Sequence, residues 1–190
     1  MTGSGGPAVF GYGSLVNRAT HGHAPAAPAT LQGWRRVWRH TRLRPFAFLS
    51  VEPAATGIDG LIAQVPGGDW AALDRREAAY CRHRIAPGTL GPRPGWAENI
   101  EIYAVDPGHV DPAARHPILL SYLDTVVQGF LGEFGAAGVA RFFASTRGWT
   151  ALCDDRADPL YPRHQVLSRQ ERALVDANCD ALGLARIRQP

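Results

Sequence analysis

Val9-Phe10-Gly11-Tyr12-Gly13-Ser14-Leu15 joins an apolar pair to a bend in which glycines flank a tyrosine. Val9 and Phe10 suit a buried strand. The glycines end it in a turn whose backbone N–H groups face outward with no side chain in the way. Such a turn can hold a carboxylate or another small anion. A second stretch, Leu73-Asp74-Arg75-Arg76-Glu77, places a carboxylate where a helix face normally carries leucine. Asp69 is a good N-cap for a helix starting at Trp70, because its side chain can accept the free N–H groups of the first turn. At about 100° per residue, Glu77 returns to within about 20° of Trp70, on the side shared with Leu73. The periodicity predicts an inward carboxylate, which must be hydrogen-bonded, paired or protonated because stranding it costs several kcal/mol. The bland alternatives are an ion pair with an arginine, or a helix that stops early and leaves Glu77 in water.

The segments between and beyond these two read as strands first and helices later. Gly33 to Thr41 alternates large residues with arginine, which suits a barrel strand with Trp34 and Trp38 inward and the arginines at the rim. Residues 17–30, with Pro25 and Pro28, read as a loop. Ala47–Val51 and Ile58–Val65 read as two strands joined by a Pro/Gly turn, and Glu98–Val105 as another. From Ile118 to Leu131 apolar residues recur at three and four positions, the stripe of a long amphipathic helix that Gly135 interrupts. Asp155 to Arg163 is a loop. Ser168 and Glu171 form a capping box before a last helix that Gly183 closes. The order predicts an α+β fold around one curled sheet.

The 190 residues fit a single domain, with residues 1–7 as a flexible leader. A hydrophobic fraction of 45% and a charged fraction of 19% are those of a folded globular chain. No apolar run is long enough for a membrane helix, which needs about 20 residues. The three cysteines are far apart, so neither a disulfide framework nor a thiolate zinc site is expected, and the cytoplasm is the simplest setting. The net charge of +3 comes from arginine alone, as the chain has no lysine. Arginines interleaved with tryptophans could stack on bases, but acidic residues elsewhere nearly balance them, so no nucleic-acid partner is expected. His21-Gly22-His23 lacks a third ligand at a recognisable spacing, so no metal is expected.

Phe10-Gly11-Tyr12-Gly13-Ser14-Leu15, followed about 60 residues later by Leu73-Asp74-Arg75-Arg76-Glu77 and Tyr80, resembles the γ-glutamylcyclotransferase-like superfamily, nearest its ChaC-type and related bacterial members. Gly33-Trp34-Arg35-Arg36 and Ser121-Tyr122-Leu123 are similar to bacterial relatives as well. The resemblance implies a small mixed or antiparallel β-barrel flanked by helices. It implies that Tyr12, Gly13, Ser14 and Leu15 bind a γ-glutamyl carboxylate, that Glu77 is the catalytic acid/base, and that Tyr80 contacts the carboxylate or the ligand. The sequence departs from the pattern after Glu77, where ChaC-type members tend to have a longer glycine-containing link, and in Pro87–Gly95, which matches nothing familiar.

The implied reaction releases an amine from a γ-glutamyl compound (glutathione, a γ-glutamyl amino acid or a γ-glutamyl amine) as the glutamyl part closes to 5-oxoproline. It calls for no cofactor and no membrane. The rival reading is a degenerate relative that only binds such a molecule. Gly-Tyr-Gly-Ser-Leu has neither the second glycine of a nucleophile elbow nor the lysine of a phosphate loop. Two loops, Pro87–Gly95 and Asp155–Arg163, are expected by position to shape the pocket.

Overall fold

The computed structural model describes residues 5–188. Residues 1–4 of the expected leader lie outside that range, while Gly6 and Pro7 already belong to the first strand. The elements in chain order are β1 (Gly6–Gly11), β2 (Ala26–Arg39), β3 (Phe48–Gln64), α1 (Trp70–Arg76), β4 (Tyr80–Arg84), β5 (Leu90–Gly91) and β6 (Ala97–Val105). They are followed by β7 (Ile118–Leu119), α2 (Leu120–Ser145), β8 (Leu152–Asp154), α3 (Arg169–Ala181) and β9 (Arg186–Arg188). Six strands form one mixed, curled sheet in the order β4-β6-β1-β3-β2-β5, a half-barrel, and β7, β8 and β9 form a small parallel sheet beside it.

Sheet order explains how two distant stretches meet. β6 runs parallel to β1, and β4 runs antiparallel to β6 with Tyr80 opposite Val105. The C-terminal end of β1, the C-terminal end of β6 and the N-terminal end of β4 therefore share one edge. The glycine turn leaves β1 at that edge, and Glu77 enters β4 there. Leu73, buried against Val9, Ala63, Val65 and Tyr103, fastens α1 to the sheet beside this edge. Burying such a side chain is worth about 1.5–3 kcal/mol.

The hairpin of β2 and β3 differs from its sequence reading. Residues 26–30 extend β2 rather than forming a loop, and residues 48–64 are one strand rather than two around a turn. Three residues, 54–56, stand opposite Gly33 alone, and the register shifts there. The irregularity absorbs Pro53 and Gly57 without ending the strand. Pro28 is tolerated because β5 covers β2 only at Thr30 and Leu31, so its missing N–H breaks no bond on that side.

The first turns of α2 are buried on nearly every side rather than along one stripe, and Ser121, Asp124 and Thr125 are buried with their apolar neighbours. Those polar groups are paired. Asp155 accepts from the Ser121 amide at 2.8 Å and the Ser121 hydroxyl at 2.5 Å, while Asp124 pairs with Arg156 at 2.6 Å. Gly135 kinks the helix with φ 65°, and Ser168 and Glu171 make the expected capping box of α3.

Candidate active site

The two stretches line one cavity of about 830 Å³, within the size range of small-molecule sites. Tyr12, Gly13, Ser14 and Leu15 come from the bend after β1, Glu77 from the end of α1, and Tyr80 from the start of β4. All the residues the sequence singled out for binding and catalysis thus face the same space.

The bend is held from four sides. Asn17 donates to the Thr125 carbonyl and to Gln128 Oε1, both at 2.9 Å, tying the segment to α2. A Cβ on Gly129 would lie 2.5 Å from the Asn17 amide, so only glycine allows this approach. His21 Nε2 is 2.8 Å from the Leu15 carbonyl, which gives the half-buried His21 a bracing role. Arg36 Nε donates to the Tyr12 carbonyl at 2.9 Å, and the Tyr12 hydroxyl donates to the Tyr103 carbonyl at 2.7 Å. Arg36 was expected at the rim, yet it is 1% exposed. Period two puts residues 34, 36 and 38 on one face, so Arg36 goes inward with the tryptophans, while Arg35 and Arg39 pair with Glu52.

Glu77 is the C-cap of α1, which stops at Arg76, one residue short of the helix expected. The early stop does not put Glu77 in water: its side chain is 22% exposed. Its amide bonds the Leu73 carbonyl at 2.9 Å, and its carbonyl accepts from the Tyr80 amide at 2.8 Å, fixing it between helix and strand. Burial raises the carboxyl pKa above its ordinary value, opposed by the charges of Arg76 and Arg163. Arg76 Nε stands 3.3 Å from Glu77 Oε1. This is the arginine contact foreseen as the bland alternative, and it coexists with the inward position.

Tyr80 donates its hydroxyl to the Leu49 carbonyl at 3.1 Å and not to the Glu77 carboxylate. Sequence reasoning gave no individual role to four lining residues of consequence: Tyr122 and Arg76, and Tyr161 and Arg163 within the loop expected to shape the pocket. All five tyrosines of the chain line this cavity, a signal that was present in the sequence because a phenol suits a wall that is apolar with a polar rim. Burial raises the hydroxyl pKa of Tyr12, Tyr80 and Tyr122, so these phenols stay protonated and serve as hydrogen-bonding groups. Of the two loops expected to shape the cavity, residues 160–163 of the second line it. None of residues 87–95 does, since Leu90 and Gly91 pair with β2 at the opposite edge of the sheet.

Among the described residues, no group of three or more His, Cys, Asp or Glu is placed to hold a metal, and Cys81, Cys153 and Cys179 are free. No helix among the described residues is long and apolar enough to cross a membrane.

No protein-family model matches the sequence, and no curated protein sequence matches it. Among solved structures, YkqA from Bacillus subtilis matches with a TM-score of 0.53 at 16% identity, over 75% of this chain and 56% of that one. The fold is γ-glutamylcyclotransferase-like. The chain spans little more than half the length of YkqA, and the likeness shows the γ-glutamylcyclotransferase-like fold alone. A yeast γ-glutamylcyclotransferase specific to glutathione aligns over 93% of this chain and 97% of that one, at 13% identity and a TM-score of 0.45.

Proposed function

We propose that this protein is a γ-glutamylcyclotransferase: it cyclises the γ-glutamyl part of a small compound to 5-oxoproline and releases the amine. One observation carries the reading. Glu77, a half-buried carboxylate with a raised pKa, shares a cavity with the glycine-flanked turn Tyr12–Leu15.

In this reading the turn from Tyr12 to Leu15 holds the α-carboxylate of the substrate, with Gly13 keeping the approach open. The α-ammonium gives a proton to Glu77, and the free amine attacks the γ-carbonyl carbon. The new C–N bond closes a five-membered ring, the original amide C–N bond breaks as the departing nitrogen takes the proton back from Glu77, and the ring nitrogen passes its remaining extra proton by way of Glu77 to the released amine, which leaves as ammonium. Because the attack is intramolecular, much of the entropy cost is met by the substrate itself, and well-oriented cases reach effective molarities of roughly 10⁵ M or more. One carboxylate moving the proton contributes about 10²–10⁴-fold. A raised pKa makes Glu77 a better base for an ammonium.

The test is incubation with a panel of γ-glutamyl amino acids, glutathione and γ-glutamyl amines, with 5-oxoproline detected by mass spectrometry. Formation of 5-oxoproline from at least one compound is expected. Saturable binding of the panel with no 5-oxoproline would instead mark a protein that only binds such molecules.

A further inference from the structure

Proton transfer needs Glu77 at a fixed distance from the glycine turn, yet the two come from separate parts of the chain. Glu77 ends a helix of seven residues, too short to hold its own course, so tertiary contacts aim it. One contact is apolar, Leu73 in the cluster it shares with Val9 and Tyr103. The other is polar. Asp74, three residues before Glu77 and therefore its neighbour on the helix surface, accepts from the Tyr103 hydroxyl at 2.7 Å. Arg82 grips the same carboxylate with two nitrogens, Nε at 2.7 Å and Nη2 at 3.2 Å. Arg82 is itself fixed: it stands opposite Tyr103 in the β4–β6 pair, donates Nη1 to Glu101 at 2.9 Å, and lies 4.5 Å from the centre of the Trp70 ring. The bonds from Tyr103 and Arg82 hold the Asp74 carboxyl below the usual carboxylate range, and bonds to an ionised acceptor are shorter and stronger than neutral ones. Tyr103 also reaches the other half of the site, since its carbonyl accepts from the Tyr12 hydroxyl at 2.7 Å. One buried residue of β6 thus touches the turn through its backbone and the Glu77 helix through its side chain.

We propose that Asp74 and Tyr103 are positioning residues, which hold Glu77 in register with the glycine turn so that one carboxylate reaches both nitrogens of the substrate. The inference rests on the cyclotransferase reading. Tyr103 lines the cavity, but its hydroxyl is taken by Asp74, so it acts through the helix and not on the ligand. Arg82 completes the clamp by fixing the carboxylate that the phenol grips.

Tyr103→Phe keeps the buried ring and the carbonyl that holds Tyr12, and removes only the hydroxyl. Asp74 is part-exposed, so Asp74→Ala gives a folded reading even if the core resists change. On the γ-glutamyl compound the parent converts fastest, each variant should lower kcat by roughly 10- to 100-fold, the scale of a misplaced catalytic group. KM should stay within about twofold, because the turn keeps its contacts. Asp74→Asn, which keeps an acceptor for the phenol, should recover most of the rate. In the Glu77→Gln background Tyr103→Phe should cost nothing further, as the two act as a unit. Hydrogen exchange is read alongside at the Glu77 and Tyr80 amides, which bond the Leu73 and Glu77 carbonyls. Both should exchange roughly tenfold faster in Tyr103→Phe and Asp74→Ala. Parent kcat and parent exchange in both variants overturn the positioning role and leave the cyclotransferase reading standing. A raised KM at unchanged kcat in Tyr103→Phe alone also overturns it, by making Tyr103 a substrate contact. If the parent converts no compound, faster exchange supports the clamp and removes the reaction, while unchanged exchange removes both.

Discussion

Arg36, buried in β2, donates from Nε to the carbonyl of Tyr12 at 2.9 Å and so pins the glycine turn from beneath. The same guanidinium donates to the Asp59 carbonyl and to Ser145 Oγ, and lies 4.7 Å and 5.1 Å from the ring centres of Phe130 and Phe142. Burial lowers its pKa to about 9, so it remains charged at neutral pH. The core therefore holds a cation whose partners are carbonyls and aromatic faces.

Replacing it tests how far the turn depends on it. Arg36→Leu leaves two inward carbonyls without their donor, at about 1–3 kcal/mol each. A total near 3 kcal/mol lowers Tm by roughly 6–12 °C in a chain of this size. Thermal unfolding by circular dichroism reads the loss. A variant as stable as the parent would show that the guanidinium contributes little to the core.

The pH dependence follows from Glu77. Its pKa is raised by burial, and as the first proton acceptor it must be ionised to work. The acidic limb of kcat/KM is expected above the ordinary glutamate value of about 4.3. The Arg76 charge opposes the rise, so Arg76→Gln moves the limb to still higher pH. Stability runs the same way: a carboxyl raised in the folded state costs stability as pH climbs from its unfolded pKa through its folded one. Glu77→Gln should melt above the parent at pH 7, with the gap closing below about pH 4. A gap that widens in acid would contradict this assignment.

Gly13 is expected to tolerate no side chain. A Cβ there would lie 2.7 Å from the Tyr122 hydroxyl and 3.2 Å from Leu49 Cδ2. Gly13→Ala should raise KM by about tenfold or more, the scale set by about 1.4 kcal/mol of lost binding. Removing the clashing oxygen with Tyr122→Phe should recover part of the stability lost by Gly13→Ala, as a non-additive double-mutant cycle. Additive effects would mean that the two groups do not touch.

Asp155 links the core to the cavity wall. It accepts from the Ser121 amide and hydroxyl at the start of α2 and from the Leu160 amide at 3.0 Å, while the Tyr161 amide donates to Ser121 Oγ at 3.3 Å. Asp155→Ala frees residues 160–163 and leaves buried donors unmade, for a loss of roughly 3 kcal/mol. Urea unfolding measures the stability. Hydrogen exchange should show faster exchange at Leu160 and Tyr161 than in the parent, and unchanged rates would put the anchor elsewhere.

Local chemistry was the part of the fold written plainly in the sequence. The Asp69 cap accepts from the Ala72 amide at 2.9 Å, and the break at Gly135 and the stop at Gly183, φ 65° at both, sit where expected. Each depends on neighbours a few residues away. The β2–β3 hairpin was not legible, because Pro53 and Gly57 read as a turn until a partner strand supplies the irregularity at Gly33 that accommodates them. Arg36 was misread as a rim residue because charge suggested solvent, although its strand parity matched the tryptophans. Glu77 and the glycine turn could be picked out singly, but the parallel pairing of β1 with β6 that puts them at one edge is a long-range fact. Arg163 reaches the cavity through the Asp155 network, for which the sequence around it has no periodic signature.

The most direct test compares the parent with Glu77→Gln on whichever γ-glutamyl compound the parent converts fastest, by single-turnover release of 5-oxoproline. A folded variant slower by about 10²–10⁴-fold is predicted, the contribution of one proton carrier. A folded variant that forms 5-oxoproline at the parent rate would contradict the role of Glu77.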